Sequence, residues 1–182
     1  MKSVADAIAN EIGYVPEDRL TQGLFMDRSI QDNTIASSIR SYMKGGRLDE
    51  QGMEAATNQW IKEIGIVAPS PKPAVRTLSG GNAQKVVIAK WLNTSPKLFI
   101  LDGPTVGVDI GAKAEIHAIL HGLAQQGIGI IVISDDLPEL VQNCNKIVVM
   151  RDGKVVAAID NSIDEISLSN ILVGAEEGGD AE

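Results

Sequence analysis

The stretch that decides the fold is Leu78-Ser79-Gly80-Gly81-Asn82-Ala83-Gln84-Lys85, followed one helix later by the apolar run Leu98-Phe99-Ile100-Leu101 and then Asp102-Gly103-Pro104-Thr105. Ser79 is a good helix N-cap, and two glycines after it let another group come close to the backbone. The unpaired amides of the first helical turn then face whatever sits there, and the helix dipole adds partial positive charge. An anion is the natural occupant of such an end, and a polyphosphate is the commonest one. Asp102 closes a strand whose apolar run implies burial, a position from which a carboxylate holds a magnesium ion directly or through water.

Each feature alone is ordinary: Ser-Gly-Gly makes a capped turn, and an Asp after an apolar run ends a strand. Their order, with Pro-Thr and a second aspartate at Asp109, is more specific. It resembles the ATP-binding cassette family, and in particular the ATPase subunit of bacterial sugar importers of the ribose, galactose and xylose type, whose subunit carries two cassettes in one polypeptide. The chain looks most like the second of these. Ile12 to Arg19 (IGYVPEDR), the signature Leu78 to Lys85 and Leu101 to Lys113 (LDGPTVGVDIGAK) carry the resemblance, which runs from about Asp6 to about Asp160.

That resemblance implies an α/β fold: an incomplete P-loop NTPase cassette with a mostly parallel sheet, a helical subdomain and a C-terminal β-hairpin. It implies residues 1–28 as the end of the nucleotide-binding core, 29–95 as the helical subdomain, 96–160 as the rest of the core and 161–182 as a tail. ATP and Mg are the implied cofactors. Ser79, Gly80, Gly81, Asn82 and Gln84 would contact nucleotide, and Asp102 would serve as the Walker B aspartate, acting on Mg indirectly. Asp109 falls in the loop that crosses to an opposite cassette, and Glu17 stands where a glutamine usually reports nucleotide occupancy. The implied partners are a second cassette, the membrane-spanning permease subunits that the helical subdomain docks on and, through them, a periplasmic or extracellular sugar-binding protein.

Three departures from the family pattern stand out. Gly103 takes the place of the glutamate that positions the attacking water, and it has no side chain to accept a proton. Asp135 takes the place of the histidine at the terminal phosphate, where its charge is unfavourable unless a cation intervenes. The sequence has no Gly-x4-Gly-Lys-Ser/Thr loop: at Gly153-Lys154 the first glycine is Val148 and the hydroxyl residue is Val155. No catalytic residue is assigned. The implied role is the signature half of a composite ATP site driving carbohydrate uptake. The rival is a truncated or split-gene fragment acting only as an interaction module.

The remaining sequence fits one domain of ordinary size. The 182 residues are 44% hydrophobic, enough for a sizeable core, and Cys144 is the single cysteine. No run is long enough to span a bilayer, and Met1 to Asn10 lacks a signal-peptide core. The expectation is a soluble chain, cytoplasmic and peripheral on the inner face of the membrane. A net charge of -8 argues against nucleic acid as a partner. His117 and His121, one helical turn apart, fit a helix surface better than a metal site.

Local patterns predict the elements. A short helix spans Met1 to Asn10, and a strand spans Ile12 to Val15. A helix runs from Ser29 until Gly45-Gly46 breaks it, and another carries Met53, Ala56, Trp60, Ile61 and Ile64 with Gly65 as its C-terminal stop. The signature helix covers Gly80 to Leu92 with Ala83, Val87 and Trp91 on one face. A helix over Ala112 to Gln126 and an apolar strand over Ile128 to Ile133 follow, and Asp152-Gly153 joins Lys146–Met150 to Lys154–Ile159 as a hairpin. The end, Glu176 to Glu182, reads as disordered. In P-loop proteins of this class the P-loop strand lies between the strands corresponding to Ile128–Ile133 and Lys146–Met150. Its absence predicts that these two close up, that another chain fills the gap, or that bare edges promote aggregation.

Overall fold

The computed structural model describes residues 2–160 and 162–174 and divides into two units, Met1–Ile133 and Ser134–Glu182. The acidic end at Glu176 to Glu182 lies outside the described residues.

In the first unit, α1 (Val4–Ala9), capped by Ser3, leads into β1 (Ile12–Val15). The parallel sheet has the order β1, β4 (Leu98–Asp102), β5 (Gly129–Ile133), with Tyr14, Ile100 and Ile131 in one row and Val15, Leu101 and Val132 in the next. Strands that return in parallel need a covering crossover, and here α4 (Gly80–Leu92) and α5 (Ile110–Gln125) supply it. Phe99 and Leu101 from β4, Val15 from β1 and Ile116 from α5 pack with α4 into one fully buried core. The α/β fold expected from the sequence is the fold found.

The sequence suggested one apolar face on α4, but the helix is buried nearly all round. Gln84, Lys85 and Lys90 lie inside along with its aliphatic residues. Two buried lysines are tolerable because each ammonium finds a partner. Lys85 Nζ donates to the Gly65 carbonyl (2.7 Å) and pairs with Glu115 (2.6 Å), and Lys90 Nζ donates to the Gly23 carbonyl (2.6 Å). Burial pushes the Lys90 ammonium below its ordinary value, consistent with a charge taken out of water.

The helix expected from Ser29 to Gly45 must be corrected. Ser29 and Asp32 form a reciprocal capping box, yet α2 covers only Ile30–Ile35 and gives way to a 3-10 turn over Ile39–Tyr42. Gly45 and Gly46 then sit at φ +58° and +80°, the left-handed pair of a two-residue hairpin loop joining β2 (Met43–Lys44) to β3 (Arg47–Leu48). Spacings of three and four residues suit a 3-10 turn as well as an α-helix, and two-residue strands are too short to show alternation. Next, α3 (Glu50–Glu63) ends where expected, with Gly65 at φ +66°.

In the second unit, α6 (Leu137–Asn143) is capped by Asp136 and followed by the antiparallel pair β6 (Lys146–Arg151) and β7 (Lys154–Asp160). Asp152 and Gly153 both have positive φ (51° and 73°), as a type I′ turn requires. Ile147, Val149 and Leu168, the last from α7 (Glu165–Val173), form a small core of their own.

Among the described residues, β5 pairs with β4 alone and leaves its other edge without a strand; β6 pairs with β7. Ile131 and Ile133 are 46% and 49% exposed, large values for a parallel strand, which is normally covered on both faces. The Gly129 amide donates to the Lys97 carbonyl, so the two-residue period turns the Ile131 and Ile133 amides toward β4 and those of Ile130 and Val132 toward the open edge. Amide exchange by NMR on the dilute chain is expected to show fast exchange at Ile130 and Val132 and protection at Ile131 and Ile133. Uniform protection along β5 would mean that a partner strand covers the edge.

Candidate functional site

The N-terminus of α4 is built by short-range bonds. Ser79 Oγ accepts from the Asn82 amide (3.4 Å) and from Asn82 Nδ2 (2.9 Å), while Asn82 Oδ1 accepts from the Val67 amide (2.7 Å). Asn82 therefore ties the helix end to the segment after α3. With Ser79 serving the Asn82 amide, the amides of Gly80 and Gly81 remain as first-turn donors without an intrahelical acceptor. The missing side chains of these glycines also admit the protein itself. A Cβ on Gly81 would lie 2.5 Å from Ala112 Cβ, and one on Gly80 would lie 3.0 Å from Arg19 Nη2 and 3.2 Å from the Gly107 carbonyl. The two glycines thus allow α4 to approach α5 and the 105–109 loop closely, a packing role that the sequence did not disclose. Gln84 is 2% exposed, and its Oε1 is buried without a hydrogen-bond partner, which removes it as a contact for a group at the helix end.

A second cluster forms at the C-terminal ends of β1 and β4. Asp102 Oδ2 accepts a hydrogen bond from the Tyr14 hydroxyl (3.1 Å). Partial burial, then the Asp102 bond and charge, then the Glu17 charge, push the Tyr14 phenol above its ordinary value of 10.0. Glu17 reaches this cluster from the loop after β1: its Cγ lies 3.0 Å from where a Gly103 Cβ would be, and Val106 Cγ2 lies at 2.9 Å. Gly103 has φ +52°, a conformation that L residues rarely adopt. A side chain at position 103 would therefore meet Glu17 and Val106. Asp102 retains Oδ1 for a hydrated magnesium ion, so its donor set fits the role expected of it.

Arg19 joins the two clusters. It follows Asp18, whose carboxylate accepts from the amides of Leu20 and Thr21 and so starts the single π-helical turn Arg19–Gly23. Its guanidinium donates to the carbonyls of Val106 (2.6 Å) and Gly107 (3.0 Å). Asp109 acts as the N-cap of α5, accepting from the Ala112 amide (2.9 Å).

The structure thus brings Glu17, Asp102 and Gly103 together, and gathers Gly80 and the 105–109 loop around Arg19. Asp135 belongs to the second unit, exposed just ahead of α6. His121 is exposed and His117 half-buried on α5. Among the described residues no cluster of three or more His, Cys, Asp or Glu is placed to hold a metal ion. Sequence reasoning quoted Tyr14 and Arg19 without giving them a role. Strand alternation does place Tyr14 on the same face as the Asp102 row, but no local signal predicts a contact from Arg19 to residues 87 and 88 positions away.

Residues 2–106 match the profile of the family described as ABC transporter. The chain belongs to the ABC transporter family. It is 40% identical over 177 residues to the ribose import ATP-binding protein RbsA of Shouchella clausii, an alignment covering 97% of this chain and 36% of that protein. It is 42% identical over 172 residues to the ribose import ATP-binding protein RbsA 1 of Burkholderia thailandensis, covering 94% and 34%. The chain spans about a third of the length of these curated relatives. Among solved structures, cbiO1 of Clostridium perfringens, part of the ABC transporter complex cbiONQ, is 26% identical with a TM-score of 0.69, covering 91% of this chain and 62% of that one. A nucleotide-free ATP-binding cassette from an ABC transporter superposes with a TM-score of 0.74 at 22% identity, covering 94% and 68%, a likeness of fold alone.

Two outcomes follow from this geometry. Gly103→Glu is expected to destabilise the chain by about 1–3 kcal/mol in urea unfolding, since it combines a positive φ with a crowded Cβ. Unchanged stability would show that Glu17 and Val106 move aside freely. The raised Tyr14 value means that folding favours the neutral phenol. Its contribution is complete below the ordinary value and is lost as pH rises through the folded value. The difference in phenolate absorbance between the wild type and Tyr14→Phe is expected to titrate above 10.0 and to move down in Asp102→Asn. No movement would remove the Asp102 bond as a cause.

Proposed function

We propose that this chain contributes the signature half of a composite ATP site in an ABC importer of ribose or a related sugar. The observation that supports this reading is an asymmetry. The N-terminus of α4 has its Ser79 cap and two glycine amides, while the end of β4 has Gly103, without a side chain, where the family resemblance puts a hydrolytic glutamate. In this reading Ser79, Gly80, Gly81 and Asn82 close over an ATP held by the P-loop of a second cassette. Asp109 lies at the crossing between the two, and Asp102 holds magnesium through water. The site on this chain's own β4 is silent. The helical segment 29–95 docks on membrane-spanning permease subunits, which receive sugar from a binding protein outside the membrane, and the chain works at the cytoplasmic face. The ribose-import names of the relatives support the cargo class, and the family supports ATP.

A second reading, an interaction module without nucleotide function, is favoured by the edge of β5 that has no strand beside it among the described residues and so invites another strand. The two readings separate in solution. The chain alone is expected to bind a fluorescent ATP analogue with Kd weaker than about 100 μM, because the signature amides reach only one side of the nucleotide. It is also expected to release no phosphate, and Gly103→Glu is not expected to restore release. Micromolar affinity or measurable turnover by the purified chain would overturn the composite-site reading. The module reading predicts that Mg-ATP has no effect on association with a P-loop-bearing cassette.

A further inference from the structure

We propose that Arg19 is a positioning residue: it clamps the 105–109 loop to the N-terminus of the signature helix, so that both reach an opposing nucleotide as one surface. The inference deepens the composite-site reading and rests on it. Three segments distant in sequence meet at this guanidinium. Arg19 itself belongs to the loop after β1, held by Asp18 through the Leu20 and Thr21 amides. The Val106 and Gly107 carbonyls come from two overlapping turns, in which the Val106 amide donates to Gly103 and the Val108 amide to Thr105. The third is Gly80, whose absent Cβ would lie 3.0 Å from Nη2.

The chemistry favours an arginine here. Only a planar fork presents two N–H groups in fixed directions to consecutive carbonyls, whereas a lysine ammonium is a single point that satisfies one of them well. Consecutive carbonyls normally point apart along a chain. Gly107 at φ +67° lets them converge, and Gly103 at φ +52° bends the chain into the turn. The closeness of Nη2 to Gly80 places a positive charge at the positive end of the α4 dipole. That arrangement is unfavourable by itself and is relieved when an anion approaches. The clamp therefore links two surfaces meant for the same ligand, the signature amides and the crossing loop, through one charged group.

The experiment uses this chain, its Arg19→Ala and Arg19→Lys variants, and a purified P-loop-bearing cassette from a ribose-import relative. Hydrogen exchange on the isolated chain is expected to rise roughly tenfold at the Val106 and Val108 amides in Arg19→Ala, with β4 and α5 unchanged and Arg19→Lys in between. In sedimentation with Mg-ATP, Arg19→Ala is expected to weaken association with the cassette by tenfold or more while keeping its thermal midpoint, and Arg19→Lys to restore part of it. Unchanged exchange in Arg19→Ala overturns the clamp. Faster exchange with wild-type association overturns the positioning role and leaves a structural contact. If the wild-type chain itself fails to associate in Mg-ATP, the composite-site reading fails and the functional claim with it, while the exchange measurement still decides whether Arg19 holds the loop.

Discussion

The closeness of α4 to α5 is the constraint on which the first unit depends. No Cβ fits between Gly81 and Ala112 Cβ, so the two helices meet at backbone distance at the N-terminal end of α4. From there α4 runs through the core with aliphatic contacts all round, and its two inward lysines are satisfied by main-chain carbonyls. A buried ammonium that lost its carbonyl would cost several kcal/mol, so Gly23 and Gly65 are held to α4 as firmly as the apolar core is. The helix end consequently has little freedom to tilt. The surface proposed to meet a partner and a nucleotide together would gain from such rigidity, because less motion remains to be frozen on binding.

Gly103 illustrates how a position without a side chain shapes a backbone. Here the residue sits at φ +52°, with Glu17 and Val106 against it, so the loop has a conformation that a glutamate would resist. A carboxylate still lies nearby, but it is carried by the loop after β1, and the neighbouring Tyr14 hydroxyl occupies Asp102 Oδ2. The end of β4 has become a self-contained polar cluster.

The parts legible in the sequence were those fixed by local chemistry. Gly65, Asp152 and Gly153 take the left-handed conformations that their helix stop and hairpin turn demanded, and the Ser79 cap and Asp102 strand end lie where their neighbours in sequence put them. The β2–β3 hairpin was missed because two-residue strands carry no period, and a glycine pair marks the end of a helix as readily as the turn of a hairpin. The inward placement of Gln84, Lys85 and Lys90 was missed because polar residues hid a helix that is surrounded rather than one-sided. Contacts such as Tyr14 to Asp102 and Arg19 to the 105–109 loop join residues 87 or 88 apart. No period or cap signals them, since they depend on how the sheet brings β1 beside β4.

The energetics of the helix end bear on how the proposed half-site would work. Charge at a helix N-terminus contributes about 0.3–1 kcal/mol when exposed and up to about 2 when partly buried, and a charge-assisted hydrogen bond contributes about 1.5–3. Two glycine amides, the Ser79 hydroxyl and the dipole together contribute roughly 5–11 kcal/mol before association costs of about 4 kcal/mol or more are subtracted, which leaves less than the roughly 8 kcal/mol that micromolar affinity requires. Nucleotide contacts of this size become useful when the ordering cost has already been met by another surface, as when ATP is first seated on a P-loop elsewhere. Binding and pairing are then one linked equilibrium, in which the signature end adds affinity to the closed pair rather than to either member alone. Under the proposed composite site, a chain without hydrolysis of its own would lose nothing, provided that α4 and the 105–109 loop arrive as a single preformed surface.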